Sequence, residues 1–226
     1  MNLIALLIGL VIERLATQLF HWRRMRWLDH IIDYGFRQAE RLPDWPAIVP
    51  VILLALVLVL PVFVVIWLLG DTLAGFTYLL LAIVVLFFSF GPHDIGEQVD
   101  EYCAALEEGN EQKVHNAANA ILEDEVPDDA MVRAGAIEAA VCVQANNRLF
   151  AVVFWFVVLG PLAAWAYRVT DLIRRRAVFD TGRDAESEAF PAHIRDAAET
   201  LHSWVAWIPA RLTAVGYAAA GHMDEA

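Results

Sequence analysis

"PAIVPVILLALVLVLPVFVVIWLL", residues 46–69, decides the fold class. No charged residue interrupts it. At a rise of about 1.5 Å per residue it is long enough as a helix to cross a hydrocarbon layer of roughly 30 Å. Pro50 is tolerable near its start, and Pro61 predicts an internal kink. "GD" at 70–71 then predicts a tight turn into "TLAGFTYLLLAIVVLFFSFG", residues 72–91, a second apolar span. The two read as a helical hairpin.

The rest of the chain agrees with a membrane class. It has 226 residues, is 59% hydrophobic and carries a formal net charge of −12. Mean hydropathy is +0.50, and the apolar residues are concentrated in blocks rather than dispersed as in a soluble domain. The acidic balance excludes nucleic acid as a partner, because phosphate contacts need Lys and Arg. Cys103 and Cys142 form no CxxC and no cluster at metal spacing, so they are expected as free thiols and no cofactor is implied. There is no strand period, no phosphate loop of the GxxxxGK type, no HExxH and no internal repeat.

Working outward, "MNLIALLIGLVIERLATQLF" lacks the basic leader and cleavage site of a signal peptide. It is expected to stay as a helix, either a first span or one half-buried at the interface. Residues 1–91 thus read as N-terminal membrane helices with a basic cytoplasmic loop. Residues 92–146 are acidic, with Lys113 and Arg133 their strong bases. Leu106, Val114, Ala117, Ala118, Ile121 and Leu122 recur there at helical spacing. A small module of two or three amphipathic helices is predicted, with Asp128 as an N-cap. Residues 147–226 begin with "RLFAVVFWFVVLGPLAAWAYRV", expected to be a third full span kinked at Gly160-Pro161. A polar linker, a short amphipathic helix at 192–203 and a terminal apolar or interfacial helix follow. The fold class is therefore all-α: a polytopic membrane bundle of three to five membrane helices, with a small cytoplasmic helical module.

Orientation follows from the bases. Arg23, Arg24, Arg26, Arg37 and Arg41 precede the clean hairpin and belong on the cytoplasmic side. A full crossing at 147–169 would then put Arg174, Arg175 and Arg176 outside, against the same rule.

Ionisable groups in apolar segments are expensive and read as functional by default. Glu13 and Arg14 interrupt the first helix; either they pair within the bundle or the helix ends near residue 12 and they snorkel. Asp29 and His30 stand in "WLDHIIDYGF", where a solvated face outweighs a catalytic pair, since no nucleophile or third group accompanies them. Arg211 follows Trp207 by four residues, which makes a cation–π contact available. Pro209 is suited to the first turn of a new helix.

"IERL" at 12–15, "HW" at 21–22, "LDH" at 28–30, "QANNRLFAVVFWFVVLGPLAAWAYR" at 144–168 and "WIPARLTAVGYAAAGH" at 207–222 together resemble the AmpE family in order and spacing. The resemblance covers most of the chain, with the acidic middle matching least. It implies a multi-pass bacterial inner-membrane protein associated with β-lactamase induction, usually encoded beside the peptidoglycan-recycling amidase AmpD. That family is similar in turn to the CobD/CbiB cobalamin enzymes, which form an amide with ATP. "IPARLT" at 208–213, "FW" at 154–155 and "YR" at 167–168 carry this second likeness. Acids and amides of the enzymes are replaced here: Val143-Gln144 and Asn147 stand where they carry Glu-Asn and Asp, "DLIRRR" follows "YR", and Ala206 precedes the Ile-Pro-Ala-Arg motif. Glu138 is one acid retained. ATP-dependent ligation needs carboxylates for Mg²⁺ and cations for phosphate.

The expectation is accordingly a regulatory protein that binds rather than catalyses, with a synthase-type ATP-dependent amide ligase as the alternative. Its pocket would draw on Glu13, Arg14, Asp29, His30, Glu138, Asn146, Asn147, Arg148, Trp207 and Arg211. Arg148 and Arg211 would meet an anionic ligand, cell-wall-derived or nucleotide. The acidic module would face a protein partner, and the bilayer would surround the rest.

Overall fold

The computed structural model describes residues 2–15, 25–41, 45–70, 75–90, 95–122, 126–180 and 190–220. All regular structure among them is helical: α1 (Asn2–Leu15), α2 (Arg26–Glu40), α3 (Ile48–Leu69), α4 (Phe76–Ser89), α5 (Ile95–Glu107), α6 (Glu111–Ile121), α7 (Ala130–Ala145), α8 (Ala151–Leu159), α9 (Pro161–Arg175) and α10 (Ala192–Ala220). Two wide π-helical turns, Asn146–Phe150 and Arg176–Asp180, follow α7 and α9 without a break. The helical class agrees with the sequence. Among the described residues two helices are long and apolar enough to cross a membrane, Ile48–Leu69 and the rod Ala130–Leu159; α1 and α4 are shorter apolar helices.

The distribution of polarity is inverted relative to a soluble domain. Of the most apolar stretch of α3, 22% is buried, so this helix is not the core of a water-soluble protein. Val51, Leu54 and Leu58 face inward, while Leu53, Leu56, Val57, Leu60 and Trp67 are exposed. The most enclosed helix is α9, which buries Arg168, Thr170 and Asp171 beside Trp165, Tyr167, Val169 and Ile173. An apolar skin over a polar middle suits a hydrocarbon surround.

α9 is central because it serves two cores. Trp165, Val169 and Ile173, four residues apart, pack with Leu28, Ile32 and Phe36 of α2, Leu54 and Leu58 of α3, and Ile194 and Ala198 of α10. Ala164 and Tyr167 on its other side pack with Ala5 of α1, Leu86 of α4 and Ala151, Val152 and Phe156 of α8. Trp165 also donates its indole N–H to the Leu58 carbonyl at 3.1 Å, one turn before Pro61.

The expected third span is reversed rather than kinked. Gly160 has φ 88° and ψ −170°, a conformation that glycine alone takes without strain. Pro161 then opens α9 at the position proline favours. Tyr167 Oη donates to Asn147 Oδ1 at 3.2 Å. In one continuous helix residues twenty apart would be separated by about 30 Å. The chain therefore turns back at Gly160, and residues 147–169 form a hairpin, not a single crossing.

The hairpin tip shares one end of the bundle with the start of α1 and of α4. Tyr78 Oη donates to Asn2 Oδ1 at 2.9 Å, and a Cβ on Gly160 would stand 3.5 Å from both polar groups. Asn146, Asn147 and Arg148 lie at the opposite end of the hairpin.

α5, α6 and α7 enclose a small core of their own, around Tyr102, Val114, Ala118, Ile121 and Ile137. Their caps follow ordinary chemistry. Asn110 accepts from the Lys113 backbone N–H, and Asp129, one residue beyond the expected Asp128, accepts from those of Met131 and Val132. This module is fused to the hairpin, since α7, the wide turn and α8 form one rod; the expected boundary between residues 146 and 147 falls inside it.

The two helices expected after residue 192 are one. Pro209 lies inside α10 rather than at a start. A proline in a helix orphans the carbonyl four residues earlier, here that of Val205. Trp155 of α8 supplies the missing donor, its indole N–H reaching Val205 O at 3.1 Å.

Candidate functional site

The end of the bundle opposite Gly160 holds a polar centre built by the first wide turn, the later turns of α9 and the middle of α10. Thr213 Oγ lies 2.8 Å from Asn146 Oδ1. Asn146 Nδ2 donates to Asn147 Oδ1 at 3.0 Å, which Tyr167 Oη also meets. Thr170 Oγ is 3.4 Å from His202 Nδ1, and the His202 ring stands 5.3 Å from that of Tyr167. Three segments distant in sequence are thus joined by one polar chain.

Beside it lies a buried ion pair. Arg168 donates to Asp171 Oδ2 at 2.6 Å, with side chains 3% and 1% exposed. Arg174 reaches the other carboxylate oxygen at 3.3 Å. The Asp171 carboxylate is thus met by two guanidinium groups, those of Arg168 and Arg174. Arg168 Nε is buried without a hydrogen-bond partner, a costly state unless something else completes it.

Two further arginines tie this centre to its neighbours. Arg176 makes a two-pronged contact with Asp33 of α2, Nε to Oδ1 at 2.8 Å and Nη2 to Oδ2 at 2.9 Å. Arg148 donates to Gln98 Oε1 of α5 at 3.2 Å. Gln144, just before the wide turn, donates to the Ile121 carbonyl at the end of α6. The Gln144 bond lies within the acidic module; the module is fastened to the polar centre by the Arg148–Gln98 bond and by the unbroken run of α7 into the wide turn. Wide turns of this kind recur at functional positions, because the extra residue widens the backbone and re-aims side chains.

The expected site residues separate into groups. Asn146, Asn147 and Arg148 are buried together in the polar centre. Asp29 is half-buried and His30 exposed on α2, while Asp33 one turn on makes the long-range ion pair. Glu138 is exposed on α7. Glu13 and Arg14 close α1, and their side chains lie outside the described residues. Arg211 sits 4.0 Å over the Trp207 ring, as the four-residue spacing predicts, and both are exposed. In its part of α10 the contact to the polar centre is made by Thr213, two positions on and on the other side of the helix. The structure does not bring Arg211 against Arg148.

Tyr167, Arg168, Thr170, Asp171 and His202 were not among the expected site residues. A signal for them existed: Trp165, Val169 and Ile173 continue an apolar stripe through "TDLIRR", so α9 extends into what reads as a linker.

Comparisons with known proteins place these features. A stretch of 146 residues is 27% identical to the "Cobalamin biosynthesis protein CobD" of Chromobacterium violaceum, covering 64% of this chain and 44% of that protein. The chain thus spans less than half the length of that relative. No solved structure matches. The model of the family described as "Regulatory signalling modulator protein AmpE" matches residues 1–226. With the whole chain matched, the apolar-skinned bundle and its polar centre belong to a member of the AmpE family of regulatory signalling modulators.

Proposed function

We propose that this chain is a bacterial inner-membrane regulator linked to β-lactamase induction, which binds an anionic ligand at the polar centre and passes that state to the α5–α7 module. The carrying observation is a group of buried guanidiniums at one end of the bundle. Arg148 and Arg168 are buried at the same end as Asn146 and Asn147, and Arg168 Nε meets no acceptor among the described residues. A phosphate or carboxylate would meet the buried guanidinium groups with two-pronged hydrogen bonds. The Arg148–Gln98 bond is the route to α5. Arg211, stacked on Trp207, serves as an interfacial anchor in this reading, with the indole at headgroup depth and the guanidinium beside it.

The hairpin supports a consistent orientation. Because the chain turns back at Gly160, Arg174–Arg176 return to the side of Asn146–Arg148. In this reading that side is cytoplasmic and also carries the acidic module. The positive-inside rule is then met at Arg174–Arg176. The ligase alternative rests on a partial match and on a motif whose acids are replaced, and it is not favoured.

The test pairs binding with phenotype. Purified protein is titrated with inorganic phosphate, a nucleotide and an anhydromuropeptide, and thermal stabilisation is read. Arg168→Gln and Arg148→Gln are then assayed for folding and, in the native host, for β-lactamase induction. Stabilisation by one anion, lost in both variants together with altered induction, supports the reading. Folded variants with unchanged induction and no anion response would sink it.

A further inference from the structure

A second site lies where α2 ends and where α3 and α10 begin. These ends leave a pocket of about 360 Å³, within the range of small-molecule sites, roughly 300–1,000 Å³. Its floor is apolar and fixed. Ala39 of α2 and Ile194 of α10 are buried members of the core around α9. Ala47 and Pro50, at the entry to α3, continue that surface. The rim is polar: Glu40, Trp45 and His193 line the pocket and are exposed. Among the described residues none of these three side chains is engaged in a hydrogen bond, an ion pair or a ring contact.

The lining decides the charge and character of an occupant. Glu40 brings a carboxylate, and among the described residues neither Lys nor Arg lines the pocket. An anion is therefore disfavoured. A metal ion wants several oxygen, nitrogen or sulfur ligands, and no group of three such side chains exists among the described residues. A plain hydrocarbon would leave the Glu40 carboxylate against an apolar surface with neither water nor partner. An organic ammonium avoids all three difficulties. Its charge meets the Glu40 carboxylate, and its carbon substituents meet the alkyl floor. The Trp45 indole face attracts a cation held within about 6 Å. His193 presents a ring nitrogen to a hydroxyl or amine N–H beside the charge.

We infer that this pocket binds an organic ammonium group, with Glu40 as its counter-ion and Trp45 as its cation–π wall. The pocket stands at the entry to the 22-residue apolar helix α3. A bilayer around α3 would pass there from hydrocarbon to headgroups, the depth that tryptophan favours. Two sources of the same chemistry reach that depth: the ammonium of a lipid headgroup, and a free amine from the aqueous side. The pocket shares no residue with the polar centre, and its occupant carries the charge opposite to the anion proposed there. Either proposal can therefore fail without the other.

The test uses the full chain labelled with 5-fluorotryptophan, in maltoside detergent. The Trp45 fluorine resonance is identified as the one lost in Trp45→Phe. Choline, ethanolamine and the neutral ethylene glycol are titrated in. Both amines should shift that resonance saturably, and ethylene glycol should leave it in place. Glu40→Gln, which removes the counter-ion, should weaken both amines about tenfold. Glu40 and Trp45 are exposed, so both variants should keep the fold, and circular dichroism checks that they do. The source is then read in nanodiscs. A Trp45 shift on replacing phosphatidylglycerol with phosphatidylethanolamine, removed by Glu40→Gln, assigns the lipid headgroup. A response to the free amines without that lipid shift assigns a soluble amine. A Trp45 resonance indifferent to both amines, an equal response to ethylene glycol, or unchanged amine affinity in Glu40→Gln overturns the inference.

Discussion

Removing the Trp155 indole N–H should cost stability only while Pro209 is present. Pro209 has no N–H to give the Val205 carbonyl, and Trp155 provides one from 50 residues away in sequence, at 3.1 Å. In Trp155→Phe the carbonyl is left without that donor. An unmet buried acceptor costs about 1–3 kcal/mol, and partial burial places this one near the lower end, about 1 kcal/mol. For a chain of this size that is a fall in Tm of about 2–4 °C. In a Pro209→Ala background the new backbone N–H at 209 takes the same carbonyl, as in any helix. Trp155→Phe should then lose only ring packing, which is common to both backgrounds and cancels in the cycle. The two substitutions should therefore couple by about 1 kcal/mol. The assay is thermal unfolding in detergent, followed by circular dichroism, for the wild type, both single variants and the double variant. An equal cost of Trp155→Phe in both backgrounds would refute the assignment of the indole as the carbonyl's replacement donor.

Three further outcomes are expected. Asp171→Asn strands Arg168 without its counter-ion and should destabilise by about 3–5 kcal/mol, read as a lower Tm. Asp33→Ala breaks the two-pronged contact of Arg176, whose side chain is 10% exposed, and should cost about 3 kcal/mol, read as a lower Tm. Gly35→Ala and Gly135→Ala should differ in sign. A Cβ at Gly35 would meet Leu54 Cδ1 at 2.6 Å, whereas at Gly135 nothing lies within 4 Å. The first should lower stability by about 1 kcal/mol and the second raise it by about 0.5–1 kcal/mol.

The sequence made α3 plain, because an uninterrupted apolar run has one inexpensive environment. It could not make the reversal at Gly160 plain. The same apolar letters continue on both sides, and only the dihedral angles of one glycine separate a kink from a return. Pro209 misled for a related reason: an internal proline is tolerated when a distant donor replaces its N–H, and that donor is invisible in local sequence. Within the site, Asn146, Asn147 and Arg148 stood out as polar residues against an apolar run. Asp171 and His202 did not, since their neighbours are polar and their burial is a property of the assembled bundle. Arg211 drew attention for the opposite reason. Its apolar surroundings in sequence turn out to be the exposed face of α10.

The wide turn at Asn146–Phe150 has a consequence in angle rather than distance. It carries one residue more than an α-turn would, and one residue is about 100° of rotation along a helix. α7 and α8 are coaxial parts of one rod, so that extra residue sets the azimuth at which the acidic module is presented relative to the hairpin. Deleting a single residue there would leave both halves helical and both cores intact, yet swing the module about a quarter-turn around the bundle. The face that the acidic module turns outward is thus indexed by a count of one.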